Sequence, residues 1–181
     1  MTTVQILSTE RLYLREIVDT DDVGMFELDS DPEVHRFIFN DPVKHIDQCR
    51  EIIQYIRRQY RDNGIGRWAL LLKDTNEFIG WAGIKIEHDM NGHTSFHDLG
   101  FRIMTKHWNK GYSTEISKAL LDYGFNVLKI DTICGVVFTK HLASRRVFEK
   151  CGFRECNSFF ADGDDNIWYE YHRRDYPVRE G

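Results

Sequence analysis

No stretch of eighteen or more apolar residues runs anywhere in this chain, so no segment reads as a membrane-spanning helix. Met1-Thr2-Thr3-Val4 lacks the basic and then apolar character of a secretion signal, and a cytoplasmic protein is expected. Cys-x-x-Cys spacing is also missing. Cys49, Cys134, Cys151 and Cys156 are read as reduced thiols, because a chain this long needs no disulfide staples; Cys134 and Cys151 sit in apolar patterns suited to buried, inert groups. Basic charge is not in excess. With 29 acidic against 24 basic side chains and a net charge of −5, the chain is poorly suited to a nucleic-acid backbone as main partner. Neither Gly-x-Gly-x-x-Gly nor Gly-x-x-x-x-Gly-Lys-Ser/Thr is present, which removes the dinucleotide-fold and nucleoside-triphosphatase signatures.

What is present fits one well-buried domain over residues 1–181, since 41% hydrophobic and 13% aromatic content supply a core and the length is short for two. There is no internal repeat or linker-like composition shift. Residues 8–15, with Leu12 and Leu14 alternating with polar neighbours, predict a half-exposed first strand. The acidic run 19–22 offers caps for a short helix ending near Asp31-Pro32. A longer helix is expected over 42–62, with Pro42 in its first turn and Ile46, Cys49, Ile53, Ile56 and Tyr60 along one face. Residues 68–73 and 78–86 read as a hairpin across Asp74-Thr75-Asn76. A polar, glycine-containing loop over 88–94 leads to a third strand from about Ser95. A helix carrying Ile116, Ala119, Leu120, Tyr123 and Val127, a strand over 132–138, a helix over 142–150 ended by Gly152 and a hairpin turning at 162–166 complete the chain. The order β-α-α-β-β-β-α-β-α-β-β predicts a mixed sheet with helices on its faces.

The chain is organised around His107-Trp108-Asn109-Lys110-Gly111-Tyr112-Ser113-Thr114-Glu115, which joins the strand 98–103 to a helix. The first turn of that helix has backbone N–H groups without partners and a partial positive charge, and Gly111 lets a ligand approach where a Cβ would obstruct it. A phosphate or pyrophosphate suits such a turn, although a tight turn with Ser113 or Thr114 as a plain helix cap has the same signature.

Three segments together resemble the GCN5-related N-acetyltransferases, in the branch that acetylates ribosomal-protein N-termini: Thr9-Glu10-Arg11-Leu12-Tyr13-Leu14-Arg15 its opening strand, Trp108 to Glu115 its acetyl-CoA pyrophosphate loop, and Ala143-Ser144-Arg145-Arg146-Val147-Phe148-Glu149-Lys150-Cys151-Gly152-Phe153 its second cofactor segment. Their order and separation fit over nearly the whole chain. The resemblance implies an α/β (α+β) fold: a mostly antiparallel central sheet with flanking helices and a splayed parallel strand pair, the cofactor-binding core spanning about 95–153. It implies that acetyl-CoA is the cosubstrate, with no metal. Backbone amides of Asn109, Lys110, Gly111, Tyr112, Ser113 and Thr114 would hold the pyrophosphate. Backbone groups of Phe101, Arg102 and Ile103, left free by the splay, would pair with the pantetheine amides as an added strand would. One departure stands out: His141 precedes Ala143-Ser144 where relatives carry Asn, so the pantetheine contact there falls to an imidazole.

Acetyl transfer to an amine needs a neutral nucleophile, donors for the developing oxyanion and an acid for the departing thiolate. By the resemblance, Ser144 faces the CoA sulfur as proton donor, and a backbone N–H near Ile103 meets the oxyanion. Asp98 is the expected base, with Glu87 and His97 as alternatives. Trp81, Phe96, Phe159, Phe160, Trp168 and Tyr169 are candidate walls of an acceptor pocket between the early helices and the last hairpin. The acceptor is left open among a protein N-terminus, an antibiotic, a polyamine and an amino acid; no nucleic acid or membrane is expected, and a homodimer is the assembly carried forward. A non-catalytic acyl-CoA sensor with the same fold is the competing reading. A zinc site from His88, His93, His97 and Asp98 matches no standard ligand spacing.

Overall fold

The computed structural model describes residues 5–38 and 40–177; residues 1–4, compared above with a secretion signal, lie outside them. The strands are β1 (Gln5–Ser8), β2 (Leu12–Arg15), β3 (Arg67–Leu72), β4 (Phe78–Met90), β5 (His93–Ile103), β6 (Thr132–Phe138), β7 (Arg154–Ala161) and β8 (Asp164–His172). The helices are α1 (Asp22–Asp29), α2 (Pro32–His35), α3 (Ile46–Asn63), α4 (Tyr112–Asp122) and α5 (Leu142–Cys151). The strands form a single sheet in the order β1-β2-β3-β4-β5-β6-β8-β7. Every neighbouring pair is antiparallel except β5 and β6.

All six residues of β3 are buried, which requires cover on both faces of the sheet. On one face Leu12, Leu14, Leu70 and Ile84 pack against Ile116, Leu120 and Phe125. On the other, Ala69 and Leu71 meet Met25, Cys49, Ile53 and Ile56. The expected stripe on α3 is therefore the one that packs, although the helix begins at Ile46 and leaves Pro42 outside it. Gln48 sets that start, its Oε1 accepting the backbone N–H of Lys44 (2.9 Å) and His45 (3.0 Å).

Three further expectations are corrected. The single first strand is two, because Thr9 turns the chain: its N–H donates to the Leu12 carbonyl at 2.8 Å. The loop expected at 88–94 is instead the tip of a long hairpin, its turn made by Asn91 (φ 49°) and Gly92 (φ 80°). Asn-Gly with both residues left-handed matches the right-handed twist of the flanking strands. Val127 is 62% exposed rather than packed, because α4 runs into a wider π turn, Tyr123–Val127, that rotates it off the apolar stripe.

The feature that positions the site is where the sheet opens. β5 and β6 pair only at His97 with Ile133 and Asp98 with Cys134, so beyond these residues the two strands diverge. Behind the opening, Gly135 of β6 lies under the buried ring of Phe148 from α5: a Cβ added there would come 2.0 Å from Phe148 Cε1. Phe148 is wedged among Phe101, Phe153 and Tyr169 and has nowhere to move. Gly135→Ala should therefore lower the unfolding free energy by about 1–3 kcal/mol through overpacking, read by urea denaturation; a change near zero would show that the ring yields freely.

Candidate active site

Gly111 is the N-cap of α4 at φ 81°, and no side chain caps this helix end. Asn109 is left-handed as well, at φ 60°. The capping role open to Ser113 or Thr114 is thus not taken, and the first-turn amides have a left-handed glycine beside them in place of a capping side chain. Such an end attracts an anion through both its free donors and its dipole.

Two residues hold the loop in place. Glu115 accepts the Thr9 hydroxyl at 2.6 Å, the Arg11 backbone N–H at 3.0 Å and Arg11 Nε at 2.7 Å. Arg11 also donates from Nη1 to the Lys110 carbonyl at 2.9 Å and lies over the Tyr112 ring, 4.6 Å from its centroid. Burial works to raise the Glu115 pKa, but the bonds from Thr9 and Arg11 outweigh it and hold the carboxyl below its ordinary range. The β1–β2 turn and the loop are in this way one unit, which is why a segment a hundred residues upstream shares the signature.

Of the cofactor-strand residues, Ile103 departs from the expectation of free backbone groups, because its carbonyl already accepts the Trp108 indole N–H at 2.6 Å. The Arg102 side chain is committed to α1, its Nη1 bonded to Asp29 at 2.6 Å. A 330 Å³ cavity fills the gap between the diverging strands. Phe101, Arg102, Asp98, His141 and Ser144 all line it, together with Phe37 and Ile38 after α2 and Asp162 and Asn166 of the last hairpin. A larger cavity, 710 Å³, lies elsewhere, between α4, α5 and β1, and is lined by none of the expected site residues. The smaller one is the candidate, because the predicted cofactor strand and both predicted catalytic residues converge on it.

Asp98 is buried and forms an ion pair with Arg67, whose Nη1 also donates to the carbonyls of Gly83 (2.6 Å) and Asp98 (2.8 Å). Burial pushes the Asp98 carboxyl up from its ordinary value, and the Arg67 guanidinium pulls against that rise. Alternation along β5 sends His97 to the opposite face. Glu87 shares the cavity with Asp98 and is paired with Lys85. Ser144 Oγ lies 3.3 Å from His141 Nε2, and the His141 ring stacks on Phe37 at 4.6 Å with 10° between planes.

Among the aromatic candidates, Trp81 and Phe96 line the cavity. Trp168 and Tyr169 are core, at 1% and 0% exposure, and Phe160 is 72% exposed on the edge strand. Phe159 packs on Trp168 instead. These four fail as walls because position in a strand fixes only which face a ring takes, and β8 is covered on both faces. Arg67 and Phe37 were missed. A lone arginine opening the run Arg67-Trp68-Ala69-Leu70-Leu71-Leu72 was a usable sign of a buried ion pair; Phe37 lies in a turn with no pattern to mark it. His93, considered for a metal, stacks on Trp168.

Residues 11–154 match the family model described as an acetyltransferase (GNAT) domain. The chain is 33% identical over 150 residues, covering 83% of each sequence, to the uncharacterized N-acetyltransferase YoaA of Bacillus subtilis (strain 168). Its fold is shared by Mycobacterium smegmatis RimJ in complex with CoA-disulfide, with TM-score 0.75, 18% identity and coverage of 92% of this chain and 84% of that one. It is shared also by a Vibrio cholerae spermidine N-acetyltransferase in complex with CoA and spermine, with TM-score 0.72, 21% identity and coverage of 90% and 96%.

Proposed function

The chain belongs to the acetyltransferase (GNAT) family and is an N-acetyltransferase, and on that premise we propose that it transfers the acetyl group of acetyl-CoA to a primary amine by direct attack in one ternary complex. The observation that carries this is a single opening in the sheet. A helix N-terminus without a side-chain cap follows the diverging strand β5 in the chain, its loop outside the cavity lining, and Asp98, His141 and Ser144 line the cavity between the diverging strands. An extended arm with amides fits between strands that have stopped pairing, and a pyrophosphate fits a helix end whose amides are bare.

In this reading the amides from Asn109 to Thr114 hold the pyrophosphate, with the cofactor-binding core spanning about 95–153. Backbone groups of Phe101 and Arg102, with the part of the Ile103 backbone not bonded by Trp108, align the pantetheine, Ser144 donates to the departing sulfur, and Asp98 takes the amine proton through a water. The RimJ and spermidine acetyltransferase structures, both holding CoA species, support the choice of cosubstrate. The spermine in the second prompts a comparison of charge. Here Glu87 and Asp98 are paired with Lys85 and Arg67, while Arg102 is committed to Asp29, so Asp162 is the one cavity carboxylate not matched by a basic residue of the lining. A single excess charge is little for a polycation, and a peptide α-amine or a small monoamine is the acceptor proposed. A cytoplasmic site of action and a homodimer remain part of the proposal; among the described residues no helix is long and apolar enough to cross a membrane.

Acetyl-CoA or CoA, and not NAD or ATP, should raise the melting temperature. At a hundredfold excess over the dissociation constant a ligand that binds only the folded state contributes about 2.7 kcal/mol, which is about 5–10 °C for a chain of this size. No shift with millimolar CoA would overturn the assignment, and release of free CoA against a panel of amines tests the transfer itself.

A further inference from the structure

His141 stands where the resemblance places a pantetheine contact, yet the structure gives its ring other neighbours. Phe37 stacks on one face of the imidazole, and Nε2 reaches 3.3 Å to the hydroxyl of Ser144, one helical turn on. The residue is fixed at the start of α5 by its backbone N–H, which donates to the Phe138 carbonyl at 2.8 Å. We propose that His141 is a positioning residue for Ser144: Nε2–H donates to Ser144 Oγ, occupies a lone pair and leaves the hydroxyl hydrogen free to point at the departing sulfur. This role rests on the acetyltransferase reading.

The surroundings are compatible with that polarity. A serine hydroxyl rotates freely unless a partner fixes it, and a donor on its oxygen selects the rotamers that aim the hydrogen elsewhere. Burial lowers the His141 pKa, and no charged neighbour contributes to the shift, so near neutral pH the ring carries one N–H. The adjacent charges are engaged: Lys140 with Asp164 at 3.3 Å, and Arg145 with the Thr139 carbonyl and with Glu155, each at 3.3 Å. Across the cavity, Glu87 is paired with Lys85 and Asp98 with Arg67, while Asp162 sits at the turn of the last hairpin. Phe37, stacked on one face, limits the tilt of the ring toward that side.

The test combines nitrogen-15 NMR of the imidazole with steady-state kinetics, using acetyl-CoA and whichever of spermine, a lysine ester or an alanine-initiated peptide reacts fastest. The ligand-free protein should show His141 as the Nε2–H tautomer, with a signal that moves in Ser144→Ala. In kinetics, Ser144→Ala should lose on the order of a hundredfold in kcat, at the low end for a positioned proton donor. His141→Phe, which keeps the stack, should lose about tenfold in kcat with the KM for acetyl-CoA within twofold of the parent, the loss expected for one hydrogen bond. His141→Gln, whose side-chain amide Nε2 can take the place of the ring Nε2, should recover most of it. An Nδ1–H tautomer, or a His141→Phe defect confined to KM, overturns the positioning role while leaving the acetyltransferase reading intact. A folded parent that binds CoA yet releases none with any of these amines overturns both.

Discussion

Asp98→Asn should lower the unfolding free energy by about 3–5 kcal/mol, the loss seen when one partner of a buried ion pair is removed. The Arg67 and Asp98 side chains are only 9% and 12% exposed. Without the carboxylate the guanidinium keeps two backbone carbonyls and the face of Trp81, 5.4 Å from its centroid, but no counter-charge. Urea denaturation reads the loss directly. Arg67→Met combined with Asp98→Asn should recover at least half of it, because the stranded charge leaves with the arginine. A loss below about 1 kcal/mol in the single variant would mean that the pair is not ionised in the parent.

The same pair of variants separates structure from chemistry. A lysine-like amine, with pKa near 10.4, is about 3.4 units from its neutral form at pH 7, roughly 4.6 kcal/mol, whereas an α-amine near 7.7–8.0 carries a deficit of about 1.4 kcal/mol or less. A base therefore matters most for the first acceptor and at low pH. Burial raises the Asp98 pKa and makes it a better proton acceptor than an exposed aspartate, against the pull of Arg67. On an acceptor shown to turn over, the double variant should be slow at pH 7 and recover partly by pH 9, where more of the amine is already neutral. If it matches the parent across that range, Asp98 serves only to hold Arg67, and Glu87 or bulk water takes the proton.

Local periodicity made much of the fold legible, and its failures have local causes. The stripe on α3, the strand over 132–138 and the helix ended by Gly152 were readable because each buries one face at a regular period. The first hairpin was not read, since its turn, Thr9-Glu10-Arg11, is closed by Glu115 from the far side of the chain. Asn91-Gly92 was legible and overlooked, because the polar residues around it suggested a loop where the strands project beyond the helices. Gly111 could be identified as a special position from the strand-glycine-helix junction. The setting of Asp98 could not, because the partner that defines it, Arg67, comes from a strand two positions away in the sheet, with Gly83 and Gly100 making room between them.

Gly111→Val should weaken CoA binding by about 10- to 150-fold, from the loss of one charge-assisted hydrogen bond worth about 1.5–3 kcal/mol. At φ 81° the residue occupies the left-handed region, where a branched Cβ is strained. The added carbon would also come 3.4 Å from Arg11 Nη2, the group that ties the loop to the β1–β2 turn. Two costs are mixed in such a variant, so Gly111→Ala is the control: it carries most of the backbone strain, about 1–2 kcal/mol, but little of the bulk. Calorimetric titration with CoA measures affinity, and urea denaturation of the ligand-free protein measures the strain. The loop reading requires that valine cost far more affinity than alanine, beyond its added cost in stability, because the valine methyls add bulk where a pyrophosphate must approach the backbone. Equal affinities for parent and Gly111→Val would make this turn a structural junction, and the cosubstrate would then have to be held elsewhere.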